Sequence, residues 1–484
     1  MQISSLDFAI LVLYLAGITL FGARFRRGQK DLRDYFLGGR TAPWWALACS
    51  IVATETSTLT IIGTPGIAFG GNLGFLQLVL GYLIARVILC VVLIPQYFKG
   101  EFYTAYQLLG KRFGGRMKSA AAAVFLGTRA LAEGVRIAAI GKVVSVAFGT
   151  GDRISILIVT LLTLFYTFEG GMRAVIWTDV VQLALYLTGS LAAFFLLLHK
   201  IPGGWPTVAQ GAAAAGGKFR IFDFSFSLTQ SYTFWAGILG GTFLTMASHG
   251  TDQTMVQRLL AARNERDSKT ALLASGVIIF VQFALFLVLG VMLFVFAHYS
   301  PFPAQAGDPD RIFPEFIVRE MPRGMAGIVL ASIFAVAMSN ASGSLNSLAS
   351  SSIIDFGAAP QNSDQAKWLG RSRWMTLIWG VVLGALGLAP WGPVLVAGLT
   401  IASITYGAML GVFLLATWNP RANENGALAG FAAGLAVVVA ARLLTPLAWT
   451  WFVLLGTIVT FAVGSFVSWI MDDEPAQKPI VAPR

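Results

Sequence analysis

The stretch ALACSIVATETSTLTIIGTPGIAF, residues 46–69, decides how the rest of the chain is read. It is mostly apolar and long enough to cross a bilayer. Its middle is Ala53-Thr54-Glu55-Thr56-Ser57-Thr58, followed by Gly63, Pro65 and Gly66. A plain lipid-facing span would not carry a carboxylate and a run of hydroxyls at that depth. In hydrocarbon, irregular backbone is tolerated only where it lines a cavity buried in protein. The stretch is expected to be a broken helix whose freed carbonyls face a site. A kinked packing helix, with Glu55 paired to a basic neighbour, accounts for the same residues. The sequence leaves both readings open.

Composition supports a membrane setting. The 484-residue chain is 56% hydrophobic and 12% charged, with a mean hydropathy of +0.73. Soluble domains carry roughly 25% charged residues. The expected fold class is an all-α polytopic membrane protein. Its apolar runs are about 20 residues long rather than alternating ten-residue strands, which excludes a β-barrel. Lys and Arg exceed Asp and Glu by 11. Basic loops on the cytoplasmic side explain that excess without nucleic acid as a partner. Cys49 and Cys90 lie in apolar runs, and His199, His249 and His298 are widely spaced. Neither set forms a disulfide framework or a metal-ligand pattern. No cofactor and no enzymatic activity are expected, and no oligomer is required.

Thirteen spans are expected, near residues 6–24, 44–69, 74–98, 119–148, 153–168, 174–199, 233–260, 271–298, 324–354, 374–390, 392–417, 426–444 and 447–470. They form a single transmembrane domain over residues 1–484. Basic residues orient it. With the N-terminus outside, 22 of the 34 Lys and Arg residues fall in inner segments and eight in outer ones. That asymmetry predicts a plasma-membrane protein, in a bacterium the inner membrane, with its N-terminus outside and its C-terminus cytoplasmic.

A second interrupted span begins at Thr233. It carries Gly240-Gly241 and then Ala247-Ser248-His249-Gly250-Thr251-Asp252. Broken helices at matching places in two halves point to a transporter site built from inverted repeats. The repeats would be residues 44–199 and 233–417. Helix 6–24 and the pair in 426–470 would lie outside that core.

Several polar groups could carry chemistry. Ser339, Ser342 and Asn346 share one helical face, and hydroxyl oxygens suit a hard cation such as sodium. Close helix packing explains the same small residues. Asp179 sits inside the sixth span, either as an ion ligand or as the partner of a basic residue. Glu133 lies between Arg129 and Arg136 on one helical face. One carboxylate for two guanidiniums leaves a positive charge able to receive a carboxylate, and a purely structural charge cluster explains the same residues. His249, beside Ser248 and Thr245, stands at the second break, either as a satisfied packing residue or as a substrate contact.

Four stretches together resemble the sodium:solute symporter family. They are ATETSTLTIIGTPG (53–66), GGMRAVIWTDVVQ (170–182), DQTMVQRLLA (252–261) and the Ser-rich helix ending at Asp355-Phe356. The run GMAGIVLASIFAVAMS (324–339) is also similar to the family. The resemblance implies a LeuT-like core of two inverted five-helix repeats with alternating access. It implies a sodium site made by the carbonyls of Ala53, Thr56 and Val336 and the side chains of Ser339 and Asn340. Most members have Ser or Thr where Asn340 stands. A second sodium site, or the inner ion exit, would involve Asp179 and Ser342. There Gly343 replaces a hydroxyl, which predicts one coupled sodium. Substrate contacts by position would be Ser57, Thr60, Arg136, Thr245, Ser248, His249 and Thr400. The expected function is sodium-coupled symport of a small organic solute: an organic acid, an amino acid or a sugar. A sodium-independent facilitator or channel is the alternative.

Overall fold

The computed structural model describes residues 3–24, 37–99, 105–166, 172–300, 307–354 and 365–471. Nineteen α-helices run through them. The first helix, α1 (Ser5–Ala23), precedes a pair formed from the stretch around Glu55: α2 (Trp44–Glu55) and α3 (Thr58–Gly70). Next come α4 (Leu76–Val92), the short α5 (Ile94–Phe98), α6 (Ala105–Arg112) and the long α7 (Gly115–Phe148). Helices α8 (Asp152–Tyr166), α9 (Met172–Lys200) and α10 (Gly204–Ala214) complete the first half. The second half opens with α11 (Phe234–Gly250), α12 (Gln253–Leu260) and α13 (Glu265–Phe296). It continues through α14 (Ile312–Glu320), α15 (Met325–Ile354), α16 (Gln365–Gly387) and α17 (Val394–Trp418). The last two helices are α18 (Glu424–Leu444) and α19 (Phe452–Ile470).

Every expected span has a helical counterpart in this order. Among the described residues, seven helices are long and apolar enough to cross a membrane, or nine if each of two sharply bent pairs counts as one span. The pair α2–α3 bends by 64°, and the pair α7–α8 by 112°. The first is an interrupted span, because its two halves continue roughly onward. The second is a turn between neighbouring helices, because the chain bends back by more than a right angle near Gly149, whose φ of 68° lies in the left-handed region. The motif residues Gly170 and Gly171 and the Asp355-Phe356 end of the Ser-rich motif lie outside the described residues.

Two contacts set the centre of the bundle. Helix α4 packs on α11 so closely that a Cβ on Gly81 would stand 2.6 Å from the Ile238 carbonyl oxygen and 2.7 Å from the Thr242 nitrogen. Thr242 Oγ1 donates to the Gly81 carbonyl at 3.2 Å. Small residues permit such contact between membrane helices, where apolar burial alone gives little drive to associate. Helix α13 braces the first broken helix: Gln282 Nε2 donates to Thr56 Oγ1 at 2.6 Å, and Tyr186 of α9 donates to Gln282 Oε1 at 3.1 Å.

Candidate functional site

The first break follows from local backbone geometry. The last helical bond of α2 runs from the Thr56 N–H to the Val52 carbonyl at 2.8 Å. Thr56 (φ −80°, ψ 97°) and Ser57 (φ −97°, ψ 174°) are then extended. Ser57 gives no N–H to the Ala53 carbonyl among the described residues. Instead its own carbonyl accepts from Thr60 at 2.9 Å and Ile61 at 3.2 Å, starting α3. Carbonyls of a helix end that lose their partner must be satisfied otherwise. Ala53 and Thr56 are both buried at this point.

The second break is built the same way. Helix α11 ends at Gly250, whose carbonyl accepts from Tyr97 Oη at 2.5 Å. Asp252 is extended and caps α12, its Oδ1 accepting from the Thr254 N–H at 2.8 Å. Its Oδ2 accepts from Tyr406 Oη at 3.0 Å. A carboxylate at a helix N-terminus meets both free N–H groups and the positive end of the dipole.

Between the two breaks lies a cavity of roughly 160 Å³. The first broken helix contributes Glu55, Ser57 and Thr60, and the second Thr245, Ser248, His249 and Asp252. Helix α7 contributes Arg129 and Arg136. Phe75, Tyr82, Tyr106, Phe125 and Phe283 supply aromatic walls. Helix α17 lines it through Leu395, Gly398, Leu399, Ala402, Thr405 and Tyr406. Six of the seven expected substrate residues therefore share one cavity: Ser57, Thr60, Arg136, Thr245, Ser248 and His249. Thr400 is not on its wall. The lining positions of α17 recur at three- and four-residue steps, and Thr400 falls off that face. Thr405 presents the hydroxyl there.

Sequence reading missed Asp252, Tyr406 and Tyr106 as cavity residues. Asp252 stood in plain view at the second break, inside the quoted motif. Tyr106 lies on α6, in a segment that reads as a basic loop.

Three buried charge clusters involve residues singled out in the sequence. Arg86 of α4, only 1% exposed, pairs with Glu55, and His249 Nε2 lies 3.4 Å from the same Glu55 Oε2. Arg86 also donates to the Tyr82 carbonyl at 3.1 Å and Ser275 Oγ at 3.3 Å. Both alternatives for Glu55 hold at once: it borders the site and it is paired. In the second group Arg136 reaches Glu133 at 3.0 Å. Arg129 joins through Ser344, whose Oγ accepts from Arg129 Nε at 2.9 Å and donates to Glu133 Oε2 at 2.8 Å. In the third, Asp179 Oδ2 accepts from Ser50 Oγ at 2.6 Å and from Arg258 at 3.2 Å. This ties α9, α2 and α12 together.

The remaining expected ligands stand on α15. Val336 is buried, and the Nδ2 of Asn340 is buried without a hydrogen-bond partner among the described residues. The side chains of Ser339, Ser342 and Asn346 lie outside the described residues. Among the described residues no cluster of three or more His, Cys, Asp or Glu side chains could hold a metal ion.

The family profile of the sodium:solute symporters matches residues 35–434. The chain belongs to the sodium:solute symporter family. The human sodium/iodide cotransporter is 30% identical over 444 residues, covering 89% of this chain and 68% of its own length. The sodium/sialic acid symporter of Proteus mirabilis is 29% identical over 477 residues, covering 96% and 95%. A solved structure of a Na+-coupled sialic acid symporter in a substrate-bound outward-open state superposes with a TM-score of 0.87 at 27% identity, covering 98% of this chain and 99% of that one. The nucleobase-cation symporter Mhp1, at 13% identity and a TM-score of 0.58, shares the fold. This member of the family therefore has the expected LeuT-like architecture, and its family and relatives are membrane transporters.

Proposed function

We propose that the cavity between the two broken helices binds a small organic solute and that the protein imports it together with sodium. The observation that carries this reading is the convergence of both helix breaks, with their hydroxyls and charges, on one cavity. Discontinuous helices at a repeat interface are how this class of transporter builds its site. The repeats are residues 44–199 and 233–417, as the two breaks suggest.

Sodium is assigned to the carbonyls of Ala53, Thr56 and Val336 and the side chains of Ser339 and Asn340. Three features support this assignment. The Ala53 carbonyl has lost its helical N–H, and the family implies this ligand set. Asn340 also brings an amide whose oxygen can serve a hard cation. Sodium filling this gap favours the outward-open state and strengthens solute binding, and linkage makes the effect reciprocal. A potential of about 100 mV adds roughly 2.3 kcal/mol for each charge moved inward. Asp179, already held by Ser50 and Arg258, and Ser342 are assigned to the inner ion exit. With Gly343 beside them, one sodium is coupled per solute. The N-terminus is outside, the C-terminus cytoplasmic, and the bacterial inner membrane is the proposed location.

The test is thermal-shift binding of a solute panel to the purified protein in sodium and in potassium at equal ionic strength. A ligand that binds only the folded state raises its stability by mass action. A shift confined to sodium is expected, lost in Ser339→Ala. A solute that shifts the protein equally in both salts would instead identify a sodium-independent facilitator. In proteoliposomes the dependence of uptake on sodium should have a Hill slope near one, and a slope near two would refute single-ion coupling.

A further inference from the structure

Two walls of the cavity carry unused hydrogen-bonding capacity of opposite kind. On the first wall is Glu55. Its Oε2 is taken by Arg86 and His249. Its Oε1 accepts nothing from any described residue. That oxygen is not sealed within the protein either, since the side chain is 12% exposed and borders the cavity. Arg86 is fully buried behind it and fixes its orientation. The cavity thus meets a fixed carboxylate oxygen, an acceptor with no donor.

On the second wall are the guanidiniums of α7. Arg136 spends one nitrogen on Glu133, and Arg129 spends its Nε on Ser344. Both residues line the cavity, and Arg129 gives no other hydrogen bond among the described residues. These are donors with no acceptor, and they outnumber the one carboxylate between them.

We propose that Glu55 determines specificity by requiring a hydrogen-bond donor on the solute. The substrate class is then an acid that also carries a hydroxyl or ammonium group, rather than a bare halide or an unsubstituted carboxylate. The acid end goes to Arg129 and Arg136, and the donor goes to Glu55 Oε1. The physical ground is desolvation. A solute lacking the donor takes water from the Glu55 oxygen and returns nothing, and sites built to bond a polar group reject analogues without it. Arg86 is a positioning residue in this scheme. The inference rests on the cavity being the solute site of a symporter.

The experiment uses the full-length purified protein and matched probes in sodium: propionate against lactate and alanine, hexanoate against gluconate, and iodide. Binding is followed by calorimetry and by thermal shift. The donor-bearing acid is expected to bind about tenfold or more tightly than its plain partner, the scale of a charge-assisted hydrogen bond. The double variant Glu55→Met/Arg86→Met removes the buried pair together, so no lone charge is left. It should lose that preference, so that the donor-bearing and plain acids bind alike. The wild-type ratios decide even if the variant fails to fold. The proposal is overturned if iodide or a plain acid binds as tightly as its donor-bearing partner, or if no donor-bearing acid binds. Repeating the series in potassium separates the two readings. A preserved donor preference without sodium dependence would keep the substrate class and remove the coupling.

Discussion

Asp179 shows how one side chain can serve two elements at once. It is 3% exposed, and its Oδ2 gathers Ser50 from the first broken helix and Arg258 from the helix after the second break. The ion pair therefore joins the two halves at one point. Removing one partner of a buried pair leaves an uncompensated charge and costs roughly 3–5 kcal/mol, whereas removing both can be nearly neutral. Arg258→Met should accordingly lower the apparent melting temperature of detergent-purified protein strongly. Asp179→Leu/Arg258→Met should recover most of that loss. Equal melting of the single and double variants would mean that the pair carries no net coupling. The spacing of the sequence could offer Asp179 a basic partner but could not choose it, because Arg258 is 79 residues away. The same holds for Asp252 and Tyr406, 154 residues apart. Only pairs on one helix, such as Glu133 with Arg136, were readable from spacing.

At the scale of an element, both helix breaks were legible because hydrocarbon makes their residues expensive. Hydroxyls, a carboxylate and glycines at mid-span have few other structural explanations. Helix facing was less legible. Helix α17 is apolar almost all round, so no periodicity marks which side meets the cavity, and packing against α7, α18 and α19 makes that choice. Thr400 was displaced from the site for this reason. The close approach of α4 and α11 can be tested directly. Gly81→Val would place carbon against the Ile238 carbonyl and the Thr242 nitrogen, where nothing can yield without moving a backbone. Overpacking a well-packed core costs typically 1–3 kcal/mol, and backbone collisions cost more. The variant should melt well below the parent or elute as aggregate in size-exclusion chromatography. Gly17→Val on α1 is the control, since nothing lies within 4 Å of its added carbon. Indistinguishable behaviour of the two variants would refute the tight α4–α11 contact.

At the scale of the whole molecule, one strap gathers elements that are distant in sequence. Pro309 rests on α3 at Gly66, and Asp310 Oδ2 accepts from Lys142 at the end of α7 at 2.7 Å. The same oxygen accepts from the Val394 N–H that begins α17 at 3.0 Å. Arg311 pairs with Asp152 at the start of α8. Nothing periodic announces this strap, because it lies in a connecting segment whose partners are set by the finished fold. Asp310 lies outside the spans, and burial holds its carboxyl above the ordinary carboxylate range, an effect that Lys142 only partly offsets. A carboxyl raised in the folded state binds protons more readily folded than unfolded. Its contribution is therefore fully present below the unfolded value near 3.8 and is lost as pH rises through the folded value. Asp310→Asn keeps an oxygen for the Val394 N–H and removes the charge. Melting curves across mildly acidic to neutral pH should show the wild type losing ground to the variant as pH rises. Parallel curves would show that the strap holds Asp310 without strain on its ionisation. A wild type that gains on the variant with rising pH would show that the attraction of Lys142 outweighs burial.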